Sequence, residues 1–301
     1  MDFYIALKNL MSIDLSSCRN LKNLSPLSNL PILESLDLNS CKSVVDFSPL
    51  FHLTNLNSLV LPYTIGKAEL ELLAEHGILE DLESLDLSGC RKLSEISVLS
   101  KATNLKEIEF VNCDWLTDLS PLSNLSELTS IDFSNCDNLE DLSPLSNLTS
   151  LRSLDFSYCG NIKDLTPLAG LTNLTSLDFT VCRNITTASG LENLSNLKSL
   201  TFSSCDKLID ISSVEGLRNL TDLDLSCCTG VEDFLPIHGL MNLETLQVTN
   251  CKHLTDYEFI TNYPNLKVLY IEEGEYMNVF GPPSDKLKEL IRRIPDCNVN
   301  F

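Results

Sequence analysis

The chain has 301 residues, of which 43% are hydrophobic and 21% charged, a composition that excludes a disordered chain. Its 42 acidic against 21 basic residues leave a net charge of -21, which argues against a nucleic-acid binder and for a cationic or neutral partner surface. No apolar run approaches the roughly 18 residues of a membrane span, and Met1–Tyr4 opens without the basic and apolar segments of a signal peptide, so neither a membrane partner nor a leader is expected.

Residues 1–9 place Tyr4 and Leu7 in phase with Leu27 and Leu30 and read as a partial repeat or a thin N-terminal cap. The edge this leaves has three open readings: a shortened chain, a self-association surface, or a natural cap. From Leu10 onward the chain is self-similar over residues 10–274. Cysteines stand at Cys18 and Cys41, then every 23 residues from Cys90 to Cys251, with Thr64 and Gly274 at equivalent places. Twelve units in phase follow, each beginning with leucine, at 10, 33, 56, 82 and so on to 266. The single irregular interval, Thr64 to Cys90, holds a run of strong helix formers from Lys67 closed by Gly77, which predicts one short helical insertion near 66–77.

Each unit opens as Leu-x-x-(Leu/Ile)-x-(hydrophobic)-x-x-Cys, as in Leu82, Leu85, Leu87 and Cys90. Alternation through Leu85-Asp86-Leu87 predicts a short strand with its leucines inward, paired in parallel with the next at about 4.8 Å. The second half reads Asn-Leu-x-Asp-Leu-Ser-Pro-Leu-Ser-Asn-Leu, clearest from Asn138 to Leu148. Pro121, Pro144 and Pro167 set the backbone for a 3-10 or single-turn helix, with the preceding Ser as candidate cap. Beyond the array, residues 275–301 predict a C-terminal cap: Ser284 as N-cap, a helix over 285–294 with Leu287, Leu290 and Ile291 on one face, a stop at Pro295, and an edge strand over 298–301.

This motif, covering about nine-tenths of the chain, resembles the leucine-rich repeat family. The Ser-Pro-Leu segment is similar to bacterial internalin-type repeats, and the turn cysteine to cysteine-containing repeats. The resemblance implies an α/β solenoid, an arc or horseshoe, with a parallel concave sheet and short 3-10 or single-turn helices on the convex side. It also implies ligand recognition through the concave face and its edges. Stacking such units makes one continuous core, so one domain is the economical reading.

Candidate chemistry is sparse. The cysteines repeat along a line, whereas zinc needs four ligands converging on a point, so they read as a buried ladder and no metal or cofactor is expected. Their parallel Cβ vectors oppose disulfides, which suits a reducing compartment. Phe110, Phe133, Phe156, Phe179 and Phe202 read as an aromatic core spine. His52, His76, His238 and His253 are scattered, and none falls in phase with a nucleophile and an acid, so no catalytic residue is assigned.

The informative surface is the strand position between the inward hydrophobics: Asp14, Asp37, Val60, Asp86, Glu109, Asp132, Asp155, Asp178, Thr201, Asp224, Gln247 and Tyr270. Strand periodicity turns these outward. The eight acids read as a solubilising face, as a docking strip for a Lys/Arg-rich protein, or as a weak divalent-cation site at Asp132, Asp155 and Asp178. A second acidic column, including Asp46, Glu95, Asp118 and Asp141, reads as structural, accepting backbone N–H bonds near the short-helix starts. Departures from the repeat add Tyr63, Tyr158, Val268 and Tyr270 as candidate contacts, and Trp115 at a strand-exit turn. The expected function is a non-enzymatic protein-protein interaction module, an adaptor or a bacterial effector, cytoplasmic or delivered into a host cell. The alternative is a self-assembling scaffold using its N-terminal edge.

Overall fold

A computed structural model describes residues 9–272 and 285–300, and its contacts divide the chain into two compact units, Met1–Leu139 and Glu140–Phe301. Tyr4, Leu7, Gly274, Ser284 and Phe301 lie outside the described residues.

In the first unit, strands β1 (Ser12–Asp14), β2 (Ser35–Asp37), β3 (Ser58–Val60), β4 (Ser84–Asp86), β5 (Glu107–Glu109) and β6 (Ser130–Asp132) pair in parallel, each with the next. The register joins equivalent residues, Ile108 to Ile131 for example, so every repeat column is also a column in space. In the second unit β7 (Ser153–Asp155), β8 (Ser176–Asp178), β9 (Ser199–Thr201), β10 (Asp222–Asp224), β11 (Thr245–Val248) and β12 (Val268–Ile271) continue the same rule. β13 (Asn298–Asn300) adds to β12 in parallel. The central leucine of strands such as β2 and β7 is buried and its flanking residues are half-buried, the signature of a one-sided sheet.

Short 3-10 helices lie on the side opposite the strands, as predicted, for instance Ser120–Leu122 and Thr166–Leu168. The capping expectation is corrected. The serine or threonine before proline is itself the first helical residue, because the fixed φ of proline suits the position after it. The residue preceding it is a leucine whose side chain offers no cap. The carboxylate two residues before the helix does that work: Asp118, Asp141, Asp164, Asp210, Asp233 and Asp256 each accept the N–H of the residue two ahead at 2.8–3.0 Å. In one repeat Thr187 replaces the acid and its hydroxyl accepts from Ser189. There Gly190 stands where proline would, at φ 102°, and a Cβ would lie 2.6 Å from the Leu165 carbonyl oxygen.

The insertion is two helices rather than one. α1 (Lys67–Glu75) ends near Gly77, whose φ of 78° turns the chain, and α2 (Ile78–Asp81) follows at once. Ile78 and Leu79 are buried, and sequence reading took the glycine as the end of all helix there. The C-terminal helix α3 (Asp285–Arg293) buries Leu287 and Leu290, while Ile291 is only half-buried. Lys286 ties α3 to the last repeat by donating to the Thr255 carbonyl at 2.6 Å, and Arg293 pairs with Glu258.

Between repeats the core is held by three ladders. Phe110 and Phe133 stack at 5.7 Å, and in the second unit Phe156, Phe179 and Phe202 stack at 5.6 and 5.2 Å. Cysteine thiols donate to the carbonyl 26 residues earlier: Cys113 to Leu87 at 3.3 Å, Cys136 to Phe110 at 3.1 Å, Cys205 to Phe179 at 3.1 Å. Burial pushes the Cys113 thiol up to about 11 and Cys205 and Cys251 up to about 12, so these groups stay protonated and keep their proton to donate. Cys18 departs from the expected buried ladder: it is exposed, in the first described repeat. The third ladder went unread in the sequence. Asn104, Asn173, Asn196, Asn219 and Asn242 each donate a side-chain amide to a carbonyl 24 residues earlier at 2.8–2.9 Å.

Candidate functional site: the outward sheet face

The outward column is built by the strands and fastened by the turns that follow them. Asp14, Asp37, Asp86 and Asp132 in the first unit, and Asp155, Asp178 and Asp224 in the second, each accept the backbone N–H two residues ahead at 2.7 Å. Such an Asx turn needs a short side chain reaching back to its own backbone, which explains why aspartate and not glutamate fills the column. The turn then passes through a residue at positive φ just before the cysteine position: Ser17, Ser40, Gly89, Asn112, Asn135, Tyr158, Val181, Ser204, Cys227 and Asn250. Glycine and asparagine suit that conformation, whereas other L-residues, and a β-branched valine above all, meet a cost of about 1–2 kcal/mol there.

The exceptions in the column are therefore informative. Val60, Glu109, Thr201, Gln247 and Tyr270 are the column positions for which no such bond is found among the described residues, and of these Glu109 alone is an acid. Glu109 stands in register between Asp86 and Asp132 on adjacent strands. Burial by its neighbours, and then the charges of Asp86, Asp132 and Glu107, push its carboxyl above the usual range. Burial likewise raises Asp224 against the opposing bonds from Ser226. Asp14, on the first described strand, is instead lowered by its bonds from Ser16.

The remaining predicted contacts fall as follows. Tyr63 is exposed at a turn of the first unit, Tyr158 is 51% exposed at a turn of the second, and Tyr270 is exposed on β12. Gln247 pairs in register with Tyr270, so these two share the outward face; Val268, two residues earlier on β12, is half-buried. Trp115 is half-buried beside Ser94, Glu95 and Pro121, and its Nε1 is buried without a hydrogen-bond partner. Among the described residues no group of three or more His, Cys, Asp or Glu side chains is arranged to hold a metal ion. In each unit the outward strand positions offer carboxylates, with Tyr63 exposed in the first unit and Tyr158 and Tyr270 exposed in the second.

The sequence pattern described as BspA type Leucine rich repeat region matches the chain in six copies, over residues 48–186 and 156–270. No curated protein sequence matches it. Two solved structures share the fold with a TM-score above 0.5, and a third resembles it less. The leucine-rich repeat domain of the type III effector XopL is 24% identical, with a TM-score of 0.56 over 76% of this chain and 80% of that one. The functional domain of InlJ from Listeria monocytogenes, described as including a cysteine ladder, is 19% identical, with a TM-score of 0.51 over 89% and 69%. An internalin, inlF, from Listeria monocytogenes is 21% identical, with a TM-score of 0.49 over 98% and 88%.

Proposed function

The chain belongs to the BspA-type leucine-rich repeat family, and on that footing we propose that it is a protein-binding module without catalytic activity. Its partner presents a Lys/Arg-rich surface to the outward sheet face and the strand-exit edge. Glu109 carries this reading. It adds a third carboxylate between two others, at a position where no turn bond requires an acid; burial first, and then the charges of Asp86, Asp132 and Glu107, push its carboxyl up, and a bound cation relieves the second of these. The finer type, cysteine-containing 23-residue repeats with an internalin-like Ser-Pro-Leu segment, and delivery into a host cell, belong to the same proposal and draw on the likeness to XopL and InlJ.

The test compares wild type with Glu109→Lys and, separately, Thr201→Lys as baits for host or source lysate at two salt concentrations. A partner lost with either variant and weakened by salt supports the reading; identical capture by all three proteins opposes it. The scaffold alternative draws on the first described strand, where Met11 is 51% exposed and Ile13 and Leu15 are only half-buried. A mass that rises with protein concentration supports it, and an unchanged monomer mass sinks it.

A further inference from the structure

In the second unit the asparagine ladder lines a groove. Three residues before β9, β10, β11 and β12 the chain carries Asn196, Asn219, Asn242 and Asn265 without a break, whereas Glu127 and Ser150 interrupt the same column earlier. These four side chains, with Lys198, Thr221 and Glu244, line an open groove of about 360 Å³ at the strand-entry edge. Their amide nitrogens are committed to the carbonyls of Thr172, Ser195, Arg218 and Met241 at 2.8–3.3 Å. A carboxamide fixed in this way keeps its oxygen as an acceptor, and among the described residues none of the four oxygens has a hydrogen-bond partner. Asn184, at a strand exit, shows what such an oxygen takes. Its amide donates to the Gly160 carbonyl at 2.7 Å, and its oxygen accepts from the Lys207 ammonium at 2.8 Å. The donor side of the groove is also open. Lys106 and Lys267 meet Glu83 and Glu244 of the preceding repeat at 2.8 and 2.6 Å, but Lys198 has Thr175 there and forms no ion pair among the described residues.

The groove therefore presents four fixed acceptors in a row and one unpaired ammonium, with no apolar side chain among its lining residues. A protein segment finds no anchor for its side chains there. Glu244 is held by Lys267, and the single charge of Lys198 does not draw a polyanion to a chain of net charge -21. Hydroxyl groups match the lining, because each donates to a carboxamide oxygen and accepts from an ammonium. The acceptors recur once per repeat, about 4.8 Å apart, so a matching ligand is linear and repeats its hydroxyls at about that step. We propose that this groove binds a neutral, linear β-linked hexose oligosaccharide, one sugar per repeat from Asn196 to Asn265, with Lys198 donating to the sugar at the Asn196 end. The lining residues precede the strands, so this site is separate from the outward face and from the cationic partner proposed for it.

The experiment titrates the full, isotope-labelled chain with cellotetraose and follows the asparagine side-chain amide signals by NMR, with cellobiose and the coiled, α-linked maltotetraose as controls. Asn219→Ser combined with Asn242→Ser removes two acceptors and installs the residue that Ser150 already places in this column. Asn173→Ser removes the same kind of ladder bond outside the groove and controls for a purely structural effect. Lys198→Ala removes an exposed side chain that holds no ion pair among the described residues, so it tests the site even where the serine pair fails to fold. Cellotetraose is expected to shift the Asn196, Asn219 and Asn242 signals. It binds the serine pair about tenfold and Lys198→Ala about threefold more weakly than wild type, and Asn173→Ser like wild type. Cellobiose, which reaches two acceptors, and maltotetraose, which curls away from the row, both bind more weakly than cellotetraose. No binding of cellotetraose to wild type, undiminished binding to folded serine-pair or Lys198→Ala protein, or equal weakening by Asn173→Ser overturns the site. Maltotetraose binding as tightly as cellotetraose overturns the linear match on which the proposal stands.

Discussion

Phe179 offers the sharpest test of what holds one repeat to the next. It has no solvent exposure and lies between Phe156 and Phe202, with centroids 5.6 and 5.2 Å away and planes inclined by 6° and 12°. Phe179→Ala empties a buried ring site and costs about 3–5 kcal/mol. Phe179→Leu is milder, since Leu38, Leu87 and Leu225 fill the same position in other repeats and the backbone accepts them. It removes two ring pairs worth about 0.5–1.5 kcal/mol each, so the expected loss is about 1–3 kcal/mol. Urea unfolding followed by far-UV circular dichroism measures both, with the slope required to stay constant because repeat arrays can lose two-state behaviour. A cycle with Phe202→Leu isolates the 5.2 Å pair, and a coupling of about 0.5–1.5 kcal/mol is expected. A Phe179→Leu loss below about 0.5 kcal/mol with no coupling to Phe202 refutes the stacking account.

Gly190→Ala destabilises and lowers the melting temperature, because the added Cβ meets the Leu165 carbonyl at 2.6 Å and the φ of 102° disfavours any L-residue; an unchanged melting temperature contradicts this. Native-state alkylation followed by mass spectrometry labels exposed Cys18 first and spares Cys113, Cys205 and Cys251 near pH 8, since burial holds those thiols protonated. For Glu109 the folded carboxyl binds its proton more tightly than the unfolded one. Its ionisation therefore opposes folding above the ordinary glutamate range, and the penalty fades as pH falls through the raised value. Glu109→Gln accordingly melts higher than wild type at pH 7, and the two converge toward acid. Asp118 has the opposite sign: bonds from Ser120 lower its carboxyl, so its contribution is present above the ordinary aspartate range and disappears as pH falls through the depressed value. Asp118→Ala loses stability at pH 7 and flattens that acid limb.

The repeat made the fold legible because one period fixed many facts at once. The leucine columns placed the strands β1 to β12, and the in-register pairing of Ile108 with Ile131 follows directly from the 23-residue spacing. Ser-Pro-Leu located the short helices, though it assigned the cap to the serine when Asp118 and its equivalents accept the bond. The asparagine ladder through Asn173, Asn196 and Asn219 went unread, because its partner is a carbonyl 24 residues back that becomes a neighbour only once the repeats stack. Helix α2 escaped because Gly77 stops one helix and starts another with the same turn. The outward acids were read as one uniform stripe. Only the turn bonds divide them into aspartates that shape the strand exit and a glutamate that does not, a distinction of one methylene that pattern alone leaves unweighted.

The account turns on whether a partner meets the outward sheet face. A photo-cross-linking amino acid placed in turn at Glu109, at Thr201 and at Asn147 on the short-helix side, in the full chain exposed to host or source lysate, tests it directly. The account predicts protein cross-linked from the sheet-face positions and absent from Asn147, with the yield at Thr201 falling as salt rises. Cross-linking from Asn147 alone, or equally from all three positions, contradicts it.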